Sequence, residues 1–178
     1  MCRWASFLFE IRIALKKTTF VLIAAAALGT SSSVRAQDLG IDVGARAPAV
    51  TAQSLDGKIV DLNNYIGKTP VLMEFWATWC PNCRELMPTL LDTEKKYGKR
   101  VKFIAIAVAI NQSPEKVRRW LAAHPMPHDT FYDTDGKVAG AFDAPATSYV
   151  VVLDKTGKVV YTGLGGKQDL DGAIRKAL

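Results

Sequence analysis

The stretch "FWATWCPNCRELMP", Phe75 to Pro88, sets Cys80 and Cys83 two residues apart at the start of a run with helical spacing. Such a pair does one of two kinds of chemistry: it exchanges electrons as a dithiol and disulfide, or it supplies two ligands to a metal. Exchange needs a thiolate, so the attacking cysteine must have its pKa brought down from about 8.5 toward ambient pH. Position supplies part of this. With Cys80 as the N-cap, Pro81 takes the first helical position, where a missing N–H costs nothing, and the N–H groups of Asn82 and Cys83 are free to point at the sulfur. A helix terminus alone is worth about 0.3–1 kcal/mol, so direct hydrogen bonds must supply the remainder. Cys83 lies one turn in and is more shielded, which makes Cys80 the attacking thiol and Cys83 the resolving one.

Trp76 reads as packing, whereas Trp79, beside the nucleophile, shields it and offers an apolar face to a partner; Pro81 and Asn82 flank the same contact surface. Glu74 sits inside the apolar run "VLMEFW", where a lone charge is costly to bury. Two readings stand: an outward-facing surface glutamate, or a partly buried one with a raised pKa that passes protons to and from Cys83. The metal alternative, a binding or metal-handling module, would join the cysteines to His124 and His128 as a Cys2His2 set. A predicted strand and helix separate the two pairs, and two prolines lie between the histidines, which favours loop histidines and no metal. A peroxiredoxin-like peroxidase would carry Thr-x-x-Cys; Thr78 is only two residues before Cys80.

The elements that must position these residues follow from periodicity. "PAVTAQSLDGKIVDL" (Pro48 to Leu62) puts Asp56-Gly57 between two alternating segments, a hairpin signal. "PVLMEFWA" reads as a buried strand, Pro81 to Tyr97 as a helix, and "VKFIAIAVAI" as a central parallel strand covered on both faces. Ser113-Pro114 opens the next helix with an N-cap and a first-turn proline. After "HPMPHD" come a short run near Thr130 to Tyr132 and a helical turn around Lys137 to Phe142; "TSYVVVLD" and "KVVYT" then form a hairpin, and a last helix spans about Asp169 to Leu178. The order of main elements is hairpin, strand, helix, strand, helix, strand, strand, helix. Strands alternating with helices predict an α/β layer fold, and the final hairpin makes the sheet mixed.

The chain of 178 residues, 49% apolar and 22% charged, suits one globular domain behind a leader. Lys16-Lys17, the apolar run Phe20 to Gly29 and "VRA" ending at Ala36 predict a secretory signal over residues 1–36, cut before Gln37, and a domain over 37–178. The run is about half of what a helix needs to cross a roughly 30 Å hydrocarbon layer; the alternative is an uncleaved tether, the one route to membrane contact. Cys2 leaves with such a leader, so Cys80 and Cys83 remain alone, which avoids misplaced disulfides in an oxidising compartment. The leader holds +4 of the formal charge of +6, and the near balance of the rest leaves no clustered basic face for nucleic acid.

"VLMEFWATWCPNCRELMP" closely resembles the active-site segment of thioredoxin-fold proteins, specifically the periplasmic or membrane-tethered TlpA-like and ResA-like reductases of the redoxin group. "GARAPAVTAQSLDGKIVDLNNYIGK" resembles that group's N-terminal hairpin, and the similarity covers essentially all of residues 37–178. The resemblance implies a thioredoxin-like fold with a central mixed sheet flanked by helices and an N-terminal β-hairpin extension. Cys80 would form mixed disulfides and Cys83 resolve them, with no cofactor. It further implies a cis-proline loop facing the cysteines, for which "DAPATSY" offers Pro145 with Ala144 before it, both on the substrate surface; Pro88 matches the family's helix-kinking proline.

Three positions depart from the pattern. Leu86 stands where the family often has glutamate, with Glu85 one residue earlier; Glu74 stands where these reductases commonly have asparagine and where thioredoxins and disulfide isomerases have an acid; and nine residues, against the usual six or so, separate Pro145 from Asp154. The expectation is a monomeric, periplasmic or otherwise extracytoplasmic thiol:disulfide oxidoreductase. It would exchange a disulfide with protein partners, chiefly as a reductase supplied by an upstream thiol donor, with an oxidase or isomerase of the same fold as the alternative.

Overall fold

A computed structural model describes residues 40–178; the predicted leader and its cleavage site lie outside the described residues. Seven strands form one sheet in the order β2-β1-β5-β4-β3-β6-β7. β1 (Thr51–Ser54) and β2 (Ile59–Asp61) are an antiparallel hairpin. Its turn closes where Gly57, at φ 92°, takes a left-handed conformation that Asp56-Gly57 suits. β3 (Val71–Trp76), β4 (Lys102–Val108) and β5 (Asp129–Asp133) run parallel to one another. β6 (Tyr149–Leu153) and β7 (Val159–Leu164) return antiparallel beside β3.

β5 is a full member of the sheet, pairing with β4 on one side and β1 on the other, so the sequence-derived order of main elements lacked a strand here. The polar residues Asp129, Thr130 and Asp133 break the apolar run that marks β3 and β4. Among the described residues four α-helices accompany the strands: α1 (Pro81–Tyr97), α2 (Pro114–Ala123), α3 (Lys137–Ala141) and α4 (Leu170–Arg175). Among the described residues no helix is long and apolar enough to cross a membrane.

Alternation along the strands sorts the core into two faces. Leu72, Phe103, Val150 and Val152 pack against Leu86 and Leu90 of α1 and Leu170 and Ile174 of α4. On the other face Met73, Phe75, Ile104 and Val151 meet Leu62, Val138 and Phe142, with the Phe75 and Phe142 rings 5.9 Å apart. β3 is buried along its whole length, so its carboxyl end delivers the segment that follows to a fixed place above the sheet.

Candidate active site

Cys80 and Cys83 close the turn that joins β3 to α1. Cys80 is the N-cap, with extended backbone, and its Sγ accepts the N–H of Cys83 at 3.0 Å; Pro81 fills the first helical position. The two cysteines are joined as a disulfide with their Cα atoms 5.3 Å apart, and both are buried. Of the two amides expected to face the sulfur, one, that of Cys83, makes the bond. Pro81 and Asn82 are exposed on the first turn, available to a partner. Pro88 lies inside α1, as the sequence placed it.

Gln112, from the loop after β4, braces the segment before the cysteines: its Oε1 accepts the Thr78 N–H at 2.9 Å while its Nε2 donates to the Val108 carbonyl at 2.6 Å. Trp79 is 39% exposed, the largest apolar side chain presented beside Cys80, and its Nε1–H donates to the Ile110 carbonyl at 2.7 Å. That bond pins the indole with its face open. Trp76 is buried against Trp120, ring centroids 4.9 Å apart, as packing requires.

Glu74 is 4% exposed, on the sheet face that α1 covers. Its Oε1 has no protein partner, and burial alone pushes the carboxyl up from 4.5 to about 8. The outward-facing alternative is thereby removed. An acid in this condition is largely neutral at pH 7 yet close enough to its titration range to take and return a proton.

The predicted cis bond before Pro145 is corrected: no cis peptide occurs among the described residues. Three residues, Ala146 to Ser148, intervene between Pro145 and β6, and the chain turns into the strand through left-handed conformations at Asp143 (φ 47°) and Ser148 (φ 62°). Ser148 takes the place expected of the proline. It is fully buried, its N–H donates to the Phe75 carbonyl at 2.7 Å, and its Oγ donates to the Gly165 carbonyl at 3.0 Å. Its own carbonyl accepts from Gly165 N–H and from Gln168 Nε2. The signal was present: six residues before Asp154 is Ser148, not Pro145. Ala144 and Pro145 instead line a groove of about 450 Å³ with Val108, Ala109, Ile110 and Thr147, at the carboxyl ends of β4 and β5 and next to the Trp79 anchor.

Leu86 is buried in the core while Glu85 lies outside, with its side chain against Gly166 and 3.8 Å from Lys167, so the shifted glutamate reaches the loop after β7. The histidines do not join the cysteines. His124 is exposed and stacked on Trp120, ring centroids 4.5 Å apart. His128 lies in the loop before β5, as expected, yet is buried and bonded through Nδ1 to Glu94 Oε2 at 2.6 Å. Among the described residues no cluster of His, Cys, Asp and Glu forms a metal ligand set.

A mixed sheet of this order, with a redox cysteine pair capping the helix after its central parallel strand, defines a thiol:disulfide oxidoreductase of thioredoxin-like fold. Residues 42–176 match the Redoxin family, and the chain belongs to it. It is 28% identical over 138 residues to the thiol-disulfide oxidoreductase ResA of Bacillus cereus, covering 76% of this chain and 79% of that one. Among solved structures, a putative thioredoxin from Neisseria meningitidis superposes with a TM-score of 0.62 at 30% identity, covering 72% of this chain and 89% of that one. A putative thiol:disulfide interchange protein DsbE from Chlorobium tepidum does so with a TM-score of 0.68 at 24% identity, covering 77% and 98%.

Proposed function

We infer that this protein is an exported reductase of protein disulfides, recharged by an upstream dithiol donor. The observation that carries the reading is the single amide on the nucleophile: Cys80 Sγ accepts from Cys83 N–H alone, while on the preceding strand burial raises the Glu74 carboxyl to about 8, so that it is mostly neutral and partly ionised near pH 7. A potential becomes oxidising when the reduced, thiolate form is strongly stabilised. One backbone hydrogen bond and a helix terminus stabilise it modestly, which supports a potential toward the thioredoxin end of the roughly −270 to −120 mV range. The leader-like composition of residues 1–36 and the two-cysteine content of the rest support export to an oxidising compartment.

In the reaction, the Cys80 thiolate attacks one sulfur of the partner's disulfide, forming a mixed disulfide and releasing the partner's other sulfur as a thiolate. The Cys83 thiol gives its proton to the ionised Glu74 carboxylate, and its sulfur attacks Cys80 Sγ. The mixed disulfide breaks, the partner leaves with both sulfurs reduced, and the Cys80–Cys83 disulfide remains. Trp79, Pro81, Asn82 and the groove at Ala144 and Pro145 form the surface on which the partner rests. The test is equilibration of the pair against glutathione, together with turnover on a disulfide-bonded protein. A potential below about −200 mV with catalysed reduction is expected; a value near −120 mV would make the protein an oxidant and overturn the direction.

A further inference from the structure

Behind the cysteines lies a second set of polar groups that the exchange reaction does not use directly. Glu74 is the register partner of Ala105, and Ala105 of Thr130, so these three residues form one row across β3, β4 and β5 with side chains on one face. His128, two residues before Thr130, lies on that face as well: its ring is 6.4 Å from Phe103 and its Nδ1 bonds Glu94 of α1 at 2.6 Å. Three atoms here are buried and without a protein partner: Glu74 Oε1, Thr130 Oγ1 and His128 Nε2. The Glu74 and His128 side chains are almost wholly buried, while the Glu94 side chain is 13% exposed.

Buried polar atoms are bonded in the great majority of cases, and internal water is their usual partner where protein groups are lacking. Strands about 4.8 Å apart put the Cα atoms of Glu74 and Thr130 about 10 Å from each other, a gap that two polar side chains span with one or two waters. The residue between them is alanine, the smallest side chain that still fills the row. Charge is confined to the two ends. The register partners of Glu74 on β4 and β6 are Ala105 and Val150, Cys83 comes from α1, and the one acid on His128 is Glu94.

We propose that Thr130 and the His128–Glu94 pair, bridged to Glu74 by internal water over Ala105, form a rear proton route from the active site to solvent beneath α1. The route meets a specific need. Cys80 and Cys83 are 2% and 3% exposed before any partner binds, and a partner held through Cys80 covers what remains. The proton that Cys83 hands to Glu74 then has no way out by the front. It passes instead from Glu74 through water and the Thr130 hydroxyl to His128 Nε2, while His128 Nδ1 passes one to Glu94 and on to solvent. Thr130 and His128 act through Glu74 and are positioning residues.

The proposal rests on Glu74 serving as base for Cys83, and the experiment separates the two. The full chain is trapped as a mixed disulfide at Cys80, once with a folded single-cysteine protein and once with a small chromogenic thiol. Release by Cys83 is then timed by stopped flow from pH 6 to 9. With the protein partner, Thr130→Val and His128→Gln are expected to slow release roughly tenfold near pH 7, below the roughly 10²–10⁴-fold typical of losing a general base. Thr130→Ser should restore the rate, and the small thiol, which leaves the front open, should show less than about a twofold change. Unchanged release in Thr130→Val and His128→Gln, where Glu74→Gln is slow, overturns the rear route and leaves the base in place. Equal slowing with both leaving groups, or no rescue by serine, identifies a packing defect and overturns it too. If Glu74→Gln is itself unchanged, the base reading fails and takes the route with it.

Discussion

Replacing Glu74 by glutamine should change how the stability of the protein depends on pH. Burial holds the folded-state pKa at about 8 against an ordinary 4.5. Between those values the unfolded chain releases a proton that the folded chain keeps, so the unfolded state binds fewer protons and stability falls as pH rises. The full contribution is present below pH 4.5, shrinks by about 1.4 kcal/mol per pH unit, and levels off above pH 8. Between pH 5 and 7 the loss is therefore on the order of 3 kcal/mol, a large share of the roughly 5–15 kcal/mol by which domains are stable. Glutamine has nearly the same shape and does not titrate. Urea unfolding of oxidised wild type and Glu74→Gln at pH 5, 6, 7 and 8 isolates the effect, because any fixed cost of the amide cancels in the pH dependence. The difference should move in favour of the variant by about 3 kcal/mol from pH 5 to pH 7. A difference that stays flat across that range would refute a buried, neutral Glu74.

In Cys83→Ala, alkylation of Cys80 against pH should report a pKa below about 8.5, since the Cys83 amide bond to Sγ remains; a value at or above that would remove the helix-terminus argument. Trp79→Ala strips an exposed indole fixed by its bond to Ile110, and should raise KM for a protein disulfide about five- to tenfold, within the range of a contact anchor, with little change for a small disulfide. Equal effects on both substrates would place Trp79 in the chemistry rather than the contact. Gly40→Ala meets two obstacles: a φ of 96°, and a Cβ that would collide with the Tyr149 hydroxyl. It should destabilise by about 3 kcal/mol in urea unfolding, and a loss under about 0.5 kcal/mol would show that this segment yields freely.

Local chemistry made much of this legible. Pro81 after Cys80 fixed the helix start, the unbroken burial of β3 followed from its apolar run, and Ser113-Pro114 marked α2. What could not be read depends on partners distant in the chain. Gln112 has no motif around it; its importance comes from the Thr78 amide 34 residues away. His128 is the loop residue its neighbouring prolines suggest, but nothing local shows that it is held inside by Glu94, again 34 residues distant. β5 was hard to see because its polar residues have structural partners: Asp129 pairs with Lys102 of the neighbouring strand at 2.6 Å, and the buried Asp133 accepts the Val138 and Ala139 amides that open α3. Pro145 misled because a proline near a strand is a strong local cue, whereas the turn into β6 is made by Ser148 through long-range hydrogen bonds.

The place of the β1–β2 hairpin has a consequence for self-association. Without it β5 would be the edge of the sheet, five residues of unpaired backbone open to any other strand. The hairpin moves that edge outward to β2, which is three residues long and ends in Asp61, whose carboxylate caps the turn that follows. At the opposite edge β7 is interrupted by an irregularity in its pairing with β6 near Val152 and Leu153, and an Arg46–Lys158 bridge lies just before its first residue. Short, charged and irregular edges are poor templates for strand addition. A chain folding among other copies of itself is thereby kept from growing its sheet into a neighbour's.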